Sequence, residues 1–315
     1  MNAEKIGKAI LYLRKRAGYT QQELAERLNV SDKAISRWER GVGVPDVSLL
    51  RKLSIILDMD IDSILEGSVA FHEDSWKGLL VIDRDPTAMV YDKPVFSYLI
   101  SYFMLAKIRD ITVLCEEEYR EKLEKSYGFG EQLGIGLSYC TIGHDACLSD
   151  SIRGIRDRLE GNRVLIIYES RIIFGVNLTR FLQKALTNAG KTTILAIPTE
   201  STAETMLIDS EKRVVSCGND KVFTEYRYHA LPFLFCQKGI DQILSYSFSD
   251  FPECIRKLSE DKLLYAELMD RGYLDIKTND TDSLLDAATF VRIYQQRSGL
   301  MLYSPDEIAR RRGFL

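Results

Sequence analysis

The chain has 315 residues, enough for two domains and few for three at roughly 100–200 residues per domain. Its 45% hydrophobic and 28% charged residues, with a net charge of −4, form an ordinary globular composition and exclude wholesale disorder. No apolar run approaches the roughly 20 residues of a membrane span, and the charged start MNAEKIGKAILYLRKR lacks a signal-peptide core, so a cytoplasmic protein with no membrane partner is expected.

Residues 1–52 carry eleven Lys and Arg against six Asp and Glu, whereas the chain beyond residue 66 is net acidic. The basic segment reads as a run of short helices. Ile6, Ala9, Ile10 and Leu13 recur at helical spacing on a first helix that stops near Gly18. Thr20-Gln-Gln-Glu23 is a capping box opening a second helix, with Leu24, Ala25 and Leu28 facing inward. After the Asn29-Val30 turn, Ser31 is a natural N-cap for a third helix that ends at Gly41. Pro45-Asp46 opens a fourth, and a fifth covers about 61–66.

Residues 67–76 are polar and aperiodic, which predicts a linker between a domain at 1–66 and another at 77–315. The rhythm then changes. GLLVID (78–83), DITVLC (110–115), RVLIIY (163–168) and TTILAI (192–197) are short apolar runs separated by helical stretches such as 93–107 and 177–189. Further strand-like segments lie in 213–236, and helices in 282–298 and 305–312. Such alternation predicts an α/β domain with a mostly parallel sheet. The six cysteines (115, 140, 147, 217, 236 and 254) show no C-x-x-C spacing, and with His72, His144 and His229 they offer no zinc site.

Two helices joined by a short turn inside an all-α bundle have the layout of a helix-turn-helix DNA reader. The run TQQELAERLNVSDKAISRWERGVGVP resembles the Cro/cI-type (XRE-like) helix-turn-helix family, and the likeness covers residues 4–66. It implies double-stranded operator DNA as the partner. Gln21, with Gln22 beside it, stands at a helix amino terminus, where backbone amides favour a phosphate oxygen. Asp32, Lys33, Ser36 and Arg37 lie on the outward side of the third helix, next to its cap Ser31. Lys33 and Arg37 can donate to guanine O6 and N7, and Asp32 can accept from a cytosine amino group. Arg40, Arg14, Lys15 and Arg16 are expected at phosphates, and the family resemblance makes Glu39 structural.

The larger segment resembles glucose-1-phosphate thymidylyltransferases over about 77–315, which implies a Rossmann-like nucleotidyltransferase fold. The likeness rests on MVYDKPVFSYLISYFMLAKIRDITVL (89–114), on GFGEQLGIGLSY (128–139) and on the tail 283–315. Four departures accompany it. The family's glycine-rich phosphate loop is missing, because GLLVID runs through Arg84-Asp85-Pro86-Thr87-Ala88 straight to Met89. Its metal aspartate is Ser170, with Glu169 one residue before it. Its sugar-phosphate lysine segment becomes Val215–Asp220 followed by Lys221, and its second metal ligand falls on Asp275 or, by ungapped counting, on Lys277.

These departures predict a domain without catalytic residues, metal ligands or cofactor, serving oligomerisation or the sensing of a nucleotide or nucleotide sugar. The chain is then a DNA-binding transcriptional regulator, not an enzyme, that works as a homo-oligomer paired through 283–315. The rival expectation is an active nucleotidyltransferase whose Mg²⁺ ligands are Glu169 and Asp275.

Overall fold

The computed structural model describes residues 3–16, 19–57, 61–66, 76–142, 147–188, 190–200, 205–218 and 227–315. The chain forms two compact units, 1–73 and 74–315. The expected linker lies, except for Trp76, outside the described residues; Trp76 itself opens a strand.

The small unit holds α1 (Ala3–Arg16), α2 (Gln21–Leu28), α3 (Asp32–Glu39), α4 (Val47–Leu57) and α5 (Ile61–Glu66). The starts of α2 and α3 carry the capping chemistry that their sequences predict. At α2 the Thr20 amide donates to Glu23 Oε2 (2.7 Å) while the Glu23 amide donates to Thr20 Oγ1 (3.1 Å), so two orphan donors are satisfied reciprocally. Ser31 Oγ accepts from the Ala34 amide at 3.2 Å and caps α3. Gly41 then ends the segment at φ +72°, where a Cβ would meet the Glu4 backbone. Ile6, Ile10, Leu13, Leu24, Leu28, Ile35, Leu53 and Ile64 form one dry core.

The large unit opens with β1 (Trp76–Val81), the β2–β3 pair (Met89–Val90, Lys93–Pro94) and α6 (Val95–Leu105). Next come β4 (Asp110–Cys115), α7 (Glu117–Tyr127), β5 (Gly136–Thr141), α8 (Leu148–Gly154) and α9 (Arg156–Leu159). Strands β6 (Arg163–Ile167) and β7 (Arg171–Phe174) precede α10 (Leu178–Thr187), β8 (Thr192–Thr199), β9 (Thr205–Ile208), β10 (Val214–Gly218) and β11 (Arg227–Cys236). The chain ends in α11 (Asp241–Leu244), α12 (Phe251–Glu260), β12 (Leu264–Leu268), β13 (Leu274–Lys277), α13 (Thr281–Ser298) and α14 (Pro305–Arg311).

Nine strands make the main sheet in the order β10-β9-β11-β6-β1-β4-β5, with β8 between β11 and β12. The block β6-β1-β4-β5 is parallel, and β11 joins it antiparallel to β6. Apolar contacts on both faces explain why β1 reads as continuously hydrophobic: Leu80 packs into one core and Leu79 and Val81 into the other. Helix α6 is buried at all eleven positions, so it shows no amphipathic stripe. At roughly 1.5–3 kcal/mol for each large apolar side chain removed from water, it is the principal anchor of that core. Its Tyr102 hydroxyl accepts from the Ile173 amide at 2.7 Å and donates to the Arg171 carbonyl at 3.2 Å, which fixes β7 just beyond the end of β6.

Candidate functional site

In the small unit, α3 divides cleanly. Ile35, Trp38 and Glu39 are buried, Ser36 is half-buried, and Ser31, Asp32, Lys33, Arg37 and Arg40 are exposed. The outward residues named from the sequence therefore share one polar surface with two arginines and a lysine. Gln22 is exposed and donates to Glu26 Oε1 at 3.1 Å.

Gln21 follows the α2 cap, and its Nε2 donates to Glu39 Oε2 at 2.6 Å. Glu39 also receives Arg14, through Nε at 2.5 Å and Nη2 at 3.1 Å, while Arg14 Nη1 donates to the Tyr19 carbonyl at 2.6 Å. Arg14 is 8% exposed, so its expected phosphate contact is corrected: the guanidinium is an internal tie between α1 and α3. The Lys15 and Arg16 side chains lie outside the described residues.

In the large unit, ligands of such open sheets sit beyond the carboxyl ends of the parallel strands. Here those ends bring together residues far apart in sequence. Asp83 follows β1, and its Oδ1 accepts from the Ser170 amide (3.0 Å) and from Ser170 Oγ (2.8 Å). Ser170, at the family's metal-aspartate position, is thereby buried and satisfied, and its carbonyl accepts from Thr278 Oγ1 at 2.7 Å. One residue on, the Arg171 guanidinium lies between two carboxylates: Nε donates to Glu169 Oε2 at 2.5 Å and Nη1 to Asp275 Oδ2 at 2.8 Å. His229 of β11 places Nε2 2.8 Å from Arg171 Nη1 and 3.2 Å from Asp275 Oδ2. A guanidinium carries only donors, so the imidazole nitrogen facing it accepts.

Burial works against the Arg171 charge, but Asp275 and Glu169 beside it hold its pKa above the ordinary arginine value. The antiparallel β7–β13 register pairs Asp275 with Ile173 and Lys277 with Arg171, and it is Asp275 whose carboxylate reaches the centre; Lys277 is exposed. From sequence, His229 carries only a structural or surface expectation, and Asp83 and Arg171 carry none.

A divalent metal does not fit this donor set. The buried Asp275 Oδ1, which has no hydrogen-bond partner, is the atom that would receive a cation, but the fixed positive charge on its sister oxygen would repel one. Among the described residues no cluster of three or more His, Cys, Asp or Glu could hold a metal ion.

Of the remaining departures, the shortened crossover is placed. Asp85 Oδ1 accepts from the Thr87 amide (2.9 Å) and hydroxyl (2.6 Å), so the short crossover after β1 is a tight turn with Arg84 exposed. Lys93 is buried, paired to Asp92 at 2.8 Å and set over the Tyr98 ring at 4.6 Å, and burial lowers its pKa. Lys221, His72 and His144 lie outside the described residues, and no described helix is long and apolar enough to cross a membrane.

The helix-turn-helix family matches residues 10–64, and the nucleotidyl transferase family matches residues 83–214. The chain is 26% identical to the glucose-1-phosphate thymidylyltransferase of Mycolicibacterium smegmatis over 234 residues, which are 72% of this chain and 81% of that relative. It is 25% identical to the enzyme of the same name from Neisseria meningitidis over 235 residues, with the same coverage. A solved structure from Bacillus anthracis, in complex with a sucrose, superposes with a TM-score of 0.58 at 12% identity. The superposition covers 69% of this chain and 96% of that one, and it shows the shared fold.

The expectation of a non-enzyme is corrected by these relatives. The nucleotidyl transferase match runs through both the shortened crossover and the Ser170 segment, so these departures do not interrupt the likeness to that family. Beside the Ser170 segment stand Asp83 and Glu169, and Asp275, one of the two positions compared with the family's second metal ligand, joins them through Arg171. The chain thus carries one segment, residues 10–64, similar to the helix-turn-helix family and another, residues 83–214, similar to the nucleotidyl transferase family.

Proposed function

We propose that the chain is a sequence-specific transcriptional regulator whose large domain takes a nucleotide or nucleotide sugar as its ligand. The observation that carries the reading is the polar face of α3, with Lys33, Arg37 and Arg40 exposed beside Asp32 and Ser36 while Ile35 and Trp38 hold the helix in its core. Helices of this kind place their first turn in the major groove, where Arg and Lys donate to guanine edges. Selection from a random duplex pool with the full chain at moderate salt tests it. Enrichment of a defined sequence supports the reading, and an unselected pool removes it.

Two half-sites one helical turn apart, roughly 34 Å, call for two copies of the reader. We place the pairing surface with a second copy on the tail 283–315, where Leu285 (65% exposed) and Ile293 (49% exposed) of α13 face outward. Sedimentation of the full chain as a monomer would remove that placement. For the ligand, a thermal-shift screen of nucleotides and nucleotide sugars should raise the unfolding temperature of the large unit.

A second reading is supported by the relatives named above: the large domain transfers a nucleotidyl group to a sugar phosphate. Pyrophosphate release from a nucleoside triphosphate and glucose-1-phosphate tests it directly.

A further inference from the structure

We propose that Arg171 is the resident cation of the strand-end centre. Its guanidinium stands between Glu169 and Asp275, where a divalent ion would otherwise draw the two carboxylates together, so the domain holds no divalent metal there. The inference goes beyond the proposed function and does not depend on which ligand the domain takes.

Three observations carry it. The first is burial: the Arg171 side chain is 5% exposed and the Asp275 side chain 10%, so the positive charge is an internal part of the fold and not a surface arm that swings aside. The second is geometry. Arg171 uses Nε and Nη2 on Glu169 and Nη1 on Asp275, so the fork addresses both acids at once, which a point charge could not do with the same definition. The third is how the residue is held. Tyr102 of the fully buried α6 donates to the Arg171 carbonyl and accepts from the Ile173 amide, while β13 flanks β7 in register from Leu274 to Lys277. These contacts fix the backbone of β7 from which the Arg171 side chain extends.

Coordination chemistry and charge both act against a metal here. A small divalent ion needs several oxygen donors at roughly 2.0–2.6 Å. In this centre the Asp275 Oδ2 and Glu169 Oε2 lone pairs already face guanidinium protons, and a second cation would sit against the first.

The experiment titrates Mn²⁺ into the full chain and reads free Mn²⁺ by electron paramagnetic resonance, with EDTA-treated protein as starting material. Wild type is expected to leave the free signal unchanged at millimolar Mn²⁺, and its melting temperature to be the same in EDTA and in Mg²⁺. Arg171→Met is expected to take up one Mn²⁺ per chain, and Arg171→Met/Asp275→Asn to lose it again. Stoichiometric binding to wild type that disappears in Asp275→Asn overturns the proposal, and so does a folded Arg171→Met that takes up none. Should Arg171→Met not fold, the wild-type titration with Glu169→Gln and Asp275→Asn beside it decides alone: no uptake in any of the three supports the proposal, and uptake abolished by either variant refutes it.

Discussion

Replacing Arg14 by Met perturbs the tie that orders the DNA reader. The Arg14 and Glu39 side chains are 9% and 3% exposed, so this is a buried pair and surface-pair magnitudes do not apply. Removing one partner of such a pair leaves a buried charge uncompensated, at a cost of about 3–5 kcal/mol. The Gln21 amide still donates to Glu39 Oε2 in the variant, which favours the lower end of that range. For a unit of this size a loss of about 3 kcal/mol is a large part of a total stability on the order of 5 kcal/mol.

The assay is urea unfolding of the full chain followed by Trp38 fluorescence in a Trp76→Phe background, since those are the two tryptophans. Arg14→Met/Glu39→Leu should recover most of the loss, because an apolar pair needs no partner. If Arg14→Met costs less than about 1 kcal/mol, or the double variant costs the sum of the singles, the buried tie is refuted. The salt dependence of DNA affinity provides an independent check: a phosphate contact would lower its slope by about 1, and the internal tie leaves the slope alone.

Arg37→Ala should cost about 1–3 kcal/mol of DNA affinity and relax preference at one base position, as read by selection with the variant; equal loss on all sequences would place Arg37 on the backbone instead. Gly134 sits at φ +65° with its missing Cβ aimed at the Phe314 backbone. Gly134→Ala should therefore lower the stability of the large unit by at least about 1 kcal/mol, and an unchanged melting temperature would contradict the close approach. The Glu253 carboxyl is held down to about 2 by Lys257 and by the Ser249 amide. Its contribution to stability is present in full above its ordinary value of 4.5 and is lost as pH falls through about 2, so Glu253→Gln should flatten the acid limb of the melting-temperature profile in that window.

The small unit is legible in the sequence because its signals are local. Thr20, Glu23 and Ser31 act within one helical turn, and the stripes of α1 and α2 need only the helical period. Arg14 misleads for the same reason. In sequence it stands in a basic run, Arg14-Lys15-Arg16, and nothing local says that one of three neighbours turns inward to a carboxylate 25 residues away. Three strands of the parallel block, β1, β4 and β6, are equally plain from their apolar runs, whereas β5, the antiparallel pairing of β11 and the β7–β13 pair are not. Their partners are set by chain return over long separations, and β7 offers only four residues.

The strand-end centre shows most sharply why motifs alone fall short there. Arg171 meets Asp275 across 104 residues and His229 across 58, so no spacing rule connects them. A count of lost motif residues treats each position as an independent switch, so that Asp to Ser at 170 reads as a carboxylate gone. Yet the Ser170 hydroxyl and amide both donate to Asp83, a carboxylate delivered from the end of the neighbouring strand, and the cation beside the remaining acids is Arg171. The buried Arg171 charge at this place is met by two carboxylates, because a buried charge without a partner is costly. Which acid meets which cation at this centre is therefore read from its three-dimensional partners and not from motif positions.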